Sequence, residues 1–342
     1  MDHQYFVKLL PQLADRSRSA ALSRLGFSHV PLYRHLSELF SRPFGETGSF
    51  LADPTFEATF GWKASPKKMS DLAGDLLCEK TINALNKPPK EKNKDGTLGD
   101  NEYRIPLDRA PYIHQVKSWE ILASPKPQSL IVASGTGSGK TECFMIPILD
   151  RLARLQQEQN SRLIGVRALF LYPLNALINS QKSRLAAWTH QFDENIRFCL
   201  FNGTTPDKVQ AHKKKEFPSE VMDRETLRAS PPPILVTNAT MLEYMLVRTA
   251  DKPILEKSQG KLEWVVLDEA HSYVGSQAAE MALLIRRVLH AFGVSPEQVR
   301  FVATSATIGD PQGEAGEKLK NFLAQVAGVG TDRVHLVSGE RH

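Results

Sequence analysis

Residues 129–142 read Ser-Leu-Ile-Val-Ala-Ser-Gly-Thr-Gly-Ser-Gly-Lys-Thr-Glu, and this stretch decides the fold. A short apolar run leads into three glycines and Lys140-Thr141, and Phe144, Ile148 and Leu152 follow at helical spacing. Glycines let successive backbone N–H groups turn inward around a phosphate, the lysine reaches its oxygens, and the threonine hydroxyl suits Mg²⁺. The aligned amides of a helix start add partial positive charge. The plainer alternative is a Gly-rich turn with an incidental lysine. A strand before the loop and a helix after it favour the phosphate cradle, formed by Ser134, Gly135, Thr136, Gly137, Ser138, Gly139, Lys140 and Thr141.

Outward from this loop, apolar runs alternate with helical patterns. The runs are SLIVAS, RALFLYP, RFCLFNG, PPILVTN, EWVVLDE and RFVATSA, and each is apolar throughout, as strands buried on both faces are. Between the last two, AAEMALLIRRVLHAF carries apolar residues at helical spacing. The class is therefore α/β, a parallel sheet covered by helices, spanning residues 105–342. Residues 204–233 predict a surface excursion between two strands. Residues 1–104 predict a mixed, mainly helical N-terminal extension that ends in the charged tract NKPPKEKNKDGTLGDNE, a solvated linker by composition.

The 342 residues are 41% hydrophobic and 24% charged, with no apolar run long enough to cross a bilayer. The opening residues match neither a signal peptide nor an anchor, so a cytoplasmic setting without membrane contact is the expectation. Cys78, Cys143 and Cys199 stand far apart and predict buried thiols, not a zinc site or disulfide framework. A net charge of +5 permits a nucleic-acid partner without demanding one. The basic HKKKEF at residues 212–217 reads as a charged loop tip in water, and Trp119 and Trp264 as core residues.

A phosphate loop needs carboxylates on a neighbouring strand. The run EWVV leads directly to Asp268 and Glu269: Asp268 can hold Mg²⁺ through water, and Glu269 can orient and deprotonate an attacking water. Two acids that merely cap a strand end are the bland alternative. The 128 residues separating Asp268 from Lys140 put the two groups on separate strands that a doubly wound sheet can bring side by side.

Taken together, ASGTGSGKT, LDEAH and Ser305-Ala306-Thr307 in VATSATIGDP resemble motifs I, II and III of superfamily 2 DEAH-box helicases, in the family's order. The resemblance implies a RecA-like lobe with ATP and Mg²⁺ as cofactors. It implies that Lys140, Glu269 and His271 serve catalysis, that Thr141 and Asp268 hold the metal, and that His271 and Ser305–Thr307 couple the γ-phosphate to strand grip. RAPYIHQVKSWE resembles the Q-motif, whose Gln115 would read the adenine edge. FLYPLNALINSQ and VTNATMLEYML resemble motifs Ia and Ib, so Pro173, Asn175, Gly203, Thr237, Asn238 and Thr240 would face nucleic acid. Thr240 and Glu243 have capping-box spacing, which starts a helix there.

The phrasing between motifs is closest to large bacterial helicases of the MrfA and Hrq1 type, some of them in antiphage defence systems of the Druantia kind. That likeness implies DNA as partner, a second RecA-like lobe and possible defence-system subunits. A nucleotide-gated DNA-binding or assembly module and an RNA helicase are the competing readings. The Asp268-Glu269 pair speaks against a pure binder, which needs no water-activating acid.

Overall fold

The computed structural model describes residues 4–26, 28–47, 49–52, 60–92, 98–135, 137–270, 273, 275–305 and 313–342. The chain divides into two units, residues 1–60 and 61–342.

The first unit holds α1 (Gln4–Leu25) and α2 (Val30–Leu39). The start of α2 is set by His29, whose ring accepts the Leu32 N–H at 3.2 Å, and by Pro31, whose fixed φ suits a first turn. Leu22 is buried, and Phe40 stacks on Phe50 with centroids 4.5 Å apart.

The second unit begins with a 3-10 turn at Met69–Leu72, α3 (Glu79–Asn86) and a small hairpin of β1 (Glu91–Lys92) and β2 (Leu98–Gly99). Then follow α4 (Ile113–Leu122), β3 (Ser129–Ala133), α5 (Lys140–Gln159), β4 (Ala168–Leu171), α6 (Asn175–Ser180), α7 (Lys182–Thr189) and β5 (Phe198–Leu200). The chain continues through α8 (Ala211–Glu216), α9 (Arg224–Ala229), β6 (Ile234–Thr237), α10 (Ala239–Val247), α11 (Lys252–Lys257) and β7 (Trp264–Leu267). It closes with α12 (Ser276–Phe292), β8 (Arg300–Ser305), α13 (Glu314–Ala327) and β9 (Val334–Ser338). Seven strands pair in parallel in the order β5-β6-β4-β7-β8-β3-β9.

Side chains alternate across this sheet, so it has two cores. Leu130, Val132, Phe170, Val236, Val266 and Val302 point to one face, under α3, α4, α5 and α7. Ile131, Leu169, Leu235, Val265, Phe301 and Ala303 point to the other, under α10 to α13. Each fully buried side chain of this size contributes about 1.5–3 kcal/mol, which is why the runs are apolar without interruption. All six expected strands form.

Several local expectations change. The seventh strand, β9, lies on the sheet edge with only Val334 and Val337 buried, and His335 interrupts its apolar residues, so it has no continuous apolar run to betray it. Met69, Leu72, Leu77, Ile82 and Leu85, from before the charged tract, belong to the first core. Within the tract, Asn101 is buried, donating to Pro89 O and Glu91 Oε1 at 3.1 and 2.8 Å, and Lys87 O accepts from Gln191 Nε2 at 2.8 Å, so part of it is folded onto the unit. Residues 211–216 form the short exposed helix α8, not a loop tip. The cap of α10 is Asn238, whose side chain accepts the Met241 N–H at 2.8 Å. Thr240 sits inside the first turn, and Glu243 meets Arg287 at 3.4 Å instead of closing a capping box.

Cys143 and Cys199 are buried and Cys78 is half-buried; among the described residues no group of three or more His, Cys, Asp and Glu side chains is gathered as a metal site. Trp119 and Trp264 are core residues as expected. No helix among the described residues is long and apolar enough to cross a membrane.

Candidate functional site

The loop between β3 and α5 lies at the carboxyl edge of the sheet, between β8 and β9. Gly137 and Gly139 take φ of 73° and 74°, values that cost a side-chain-bearing residue about 1 kcal/mol or more. At Gly139 an added Cβ would also run into Gln115 Nε2 and lie 3.1 Å from Glu142 Oε2. Ser134 and Ser138 join their hydroxyls at 2.6 Å across the loop, and Lys140 Nζ donates to Ser134 O at 2.9 Å. A small cradle of backbone with an ammonium at its mouth is the result. Thr136 lies outside the described residues.

The first turn of α4 supports this loop from outside. His114 Nε2 meets Ser138 O at 2.8 Å, a geometry that puts the proton on Nε2. Burial pushes the His114 pKa below its usual range, so the ring is neutral near pH 7. Gln115 accepts the Tyr112 N–H with Oε1 at 2.9 Å and donates Nε2 to Gly139 O at 3.3 Å. Its amide is therefore a strut between α4 and the loop, a task the sequence did not disclose. A cleft of about 230 Å³ opens beside it, lined by Tyr103, Arg104, Arg109, Gln115, Glu142 and Arg184 among others.

The two acids follow β7 directly. The Asp268 N–H donates to Leu171 O at 3.0 Å, which extends the ladder one residue past the strand. Thr304, near the end of β8, donates its hydroxyl to Asp268 Oδ1 and accepts the Glu269 N–H at 3.0 Å. One hydroxyl thus fixes both acids. Burial raises the Asp268 pKa, and the Thr304 hydrogen bond opposes that rise. Glu269 has φ of 51°, a left-handed conformation that costs a non-glycine residue about 1–3 kcal/mol and clusters at functional sites. The next residue, Ser305, accepts the Ser134 N–H at 3.3 Å, so β8 touches the phosphate loop as well as both acids. His271, Ala306 and Thr307 lie outside the described residues.

The residues expected to face nucleic acid are partly brought together. Asn238 Nδ2 donates to Asn175 Oδ1 at 2.8 Å. Pro173, Asn175, Asn238 and Thr240 line a cleft of about 610 Å³ with Tyr273, Gln277 and Glu280. Gly203 is exposed and is not among the residues that line that cleft, and an added Cβ there would meet open space. The expectation for Thr237 is corrected: it is fully buried, and its hydroxyl donates to Phe201 O at 2.6 Å to fasten β5 to β6.

Three residues were missed from sequence. Thr304 precedes the Ser-Ala-Thr triplet and reveals itself only through register with β7. Trp62 and Arg341 stand at opposite ends of this unit, yet the Arg341 guanidinium stacks on Trp62 at 4.4 Å, and both flank the Cβ direction of Gly135. No local pattern marks that pair.

A parallel sheet of this order, with a phosphate cradle after β3 and an acid pair after β7, defines a RecA-like P-loop domain. The profile of the DEAD/DEAH box helicases matches residues 112–314, more than half of the chain, and the chain belongs to that family. It is similar to the Druantia protein DruE of Escherichia coli, 27% identical over 336 residues, covering 70% of this chain and 18% of that one. It is also similar to an uncharacterized ATP-dependent helicase, YprA, of Bacillus subtilis, 29% identical over 232 residues, with 66% and 27% of the two chains covered. Among solved structures, the DUF1998 helicase MrfA bound to DNA and AMPPNP superposes with a TM-score of 0.51 at 25% identity, over 81% of this chain and 30% of that one. The chain spans less than a third of each relative's length.

Proposed function

We propose that residues 105–342 are the first of two RecA-like lobes of an ATP-dependent DNA helicase or translocase. Residues 1–104 would form an extension whose latter half is built into the lobe. The observation that carries this reading is the Thr304–Ser305 segment, which contacts the phosphate loop and both acids at once. An element in contact with all three can report the state of a γ-phosphate to the rest of the sheet.

In this reading the amides of residues 135–139 and Lys140 bind the phosphates of ATP, and the adenine lies beside Gln115. Thr141 and Asp268 would hold Mg²⁺. Both offer hard oxygen donors at one edge, beside a loop whose Gly137 and Gly139 take left-handed backbone, so the residues present fit the pair. Bound there, the cation would neutralise charge building on the phosphates. Glu269, aimed by the Thr304 contact to its backbone, orients a water and takes its proton. His271 and residues 305–307 are proposed to pass the γ-phosphate state onward, and the second lobe to supply the arginines that complete the site.

DNA would run over the cleft at Pro173, Asn175, Asn238 and Thr240, with Gly203 as a further contact. Thr237 supports that path from within the sheet. Side-chain amides and the start of α10 suit backbone phosphates, which carry no sequence information. DNA ranks ahead of RNA because the MrfA structure, at 25% identity, carries DNA. The proposed role extends to phage defence or DNA repair at a cytoplasmic site of action; the DruE likeness supports defence, with defence-system subunits as partners.

The test is ATP hydrolysis and single-stranded DNA binding by this chain, with Asn175→Ala/Thr240→Ala beside it. The expected result is DNA binding that the double substitution weakens several-fold, and DNA-stimulated hydrolysis once a second lobe is supplied. Wild-type DNA affinity in the double variant would remove the strand path. Hydrolysis that ignores DNA in the two-lobed protein would remove the motor.

A further inference from the structure

Asp268 has a neighbour on each side, and only one of them is spent. In a parallel sheet, register partners point to the same face. Leu171 pairs with Leu267, and Leu267 with Ala303. One residue further on, Tyr172, Asp268 and Thr304 therefore stand in a row across the carboxyl edge of β4, β7 and β8. They share the face of Phe170, Val266 and Val302, the face covered by α5, whose first two residues are Lys140 and Thr141.

The Thr304 hydroxyl is used twice, as donor to Asp268 Oδ1 and as acceptor from the Glu269 N–H. On the other side of Asp268, Tyr172 is 1% exposed and its hydroxyl has no hydrogen-bond partner among the described residues. After burial itself, the Asp268 charge is the next cause that holds the Tyr172 pKa up, as nearness across the row requires. A phenylalanine would fill the same space beside Phe144 and Phe170 without burying an unsatisfied hydroxyl. The oxygen therefore calls for a partner that arrives with the ligand.

We propose that Tyr172 is a positioning residue for the metal at this site: its hydroxyl orients Asp268 and the water that Asp268 holds on the divalent cation. Ligand carboxylates at metal centres are themselves hydrogen-bonded, and losing such an outer partner weakens metal affinity about 10–100-fold. Thr304 fixes one edge of the carboxylate, and Tyr172 fixes the other once a cation and its waters are in place. This assignment rests on the nucleotide reading above.

The experiment compares wild type with Tyr172→Phe by three measurements: Mg²⁺ titration at a fixed concentration of fluorescent ATP analogue, analogue affinity in EDTA, and thermal melting. The expected result is a melting temperature equal to or above wild type, unchanged affinity in EDTA, and an Mg²⁺ midpoint raised about tenfold. A midpoint within twofold of wild type overturns the assignment while leaving the nucleotide reading intact. A clearly lower melting temperature would give the hydroxyl a structural partner and also overturn it. A wild-type chain that binds no analogue at any Mg²⁺ concentration removes the nucleotide reading, and this assignment with it.

Discussion

Two places on the carboxyl edge of one sheet are built to different degrees. Around β3, β7 and β8, the groups that shape the site are tied to one another: Lys140 to Ser134 O, Gln115 to Gly139 O, and Thr304 to both acids. Around β4 and β6, a wide cleft is spanned, among the described residues, by the Asn238–Asn175 hydrogen bond. A site for a compact, highly charged ligand gains from being assembled beforehand, since fixed dipoles need no reorganisation when the charge arrives. A surface over which a polymer must slide gains from shallow contacts that are readily exchanged. The difference teaches that one sheet edge can carry both a rigid site and an adaptable one, joined by strands only a few residues long.

Substitutions can break this contrast. The largest effect is expected at Lys140→Ala, which removes the ammonium at the cradle's mouth: affinity for an ATP analogue should fall at least about 100-fold, on the scale of charged hydrogen bonds lost together. DNA binding should be untouched, and a titration that finds nucleotide affinity unchanged would end the phosphate-loop reading. Next is Gly139→Ala, where a Cβ meets Gln115 in a left-handed backbone. Roughly 1–2 kcal/mol of strain predicts about tenfold weaker nucleotide binding by the same titration.

The open cleft should respond more gently. Asn238→Ala removes the cap of α10 as well as the Asn175 contact, and melting should register a loss of about 1 kcal/mol. Nucleotide affinity should not change; if it does, the two places are not independent at equilibrium.

The smallest effect concerns pH. Burial holds the His114 pKa down, so the folded state prefers the neutral ring. The stability it supports is complete above an unfolded pKa of about 6.5 and declines as pH falls below that value. Melting curves should therefore show a modest loss below about pH 6.5 that His114→Gln reduces; identical pH profiles would remove His114 from the account.

How much of this was legible follows from the same contrast. Six central strands announce themselves because burial on both faces demands continuous apolar runs, and the cradle because only glycines permit its backbone. The edge strand β9 and the pieces from Met69 to Leu85 stayed hidden, being short or, in β9, interrupted by His335 and only partly buried. At the site, Lys140, Asp268 and Glu269 could be read as types at a spacing. Thr304, Tyr172, Trp62 and Arg341 could not, since their roles come from register between strands or from the meeting of distant ends. Thr240 misled because its spacing to Glu243 suits a capping box, while Asn238, already the better acceptor, takes the cap.

The measurement that bears most directly on the central claim is titration of a fluorescent ATP analogue into this chain with Mg²⁺ present, followed by ATP hydrolysis without a second lobe. Saturable binding with little turnover is the predicted result, since the site is assembled here but its completing arginines are assigned elsewhere. Absence of binding by a folded chain would contradict the account.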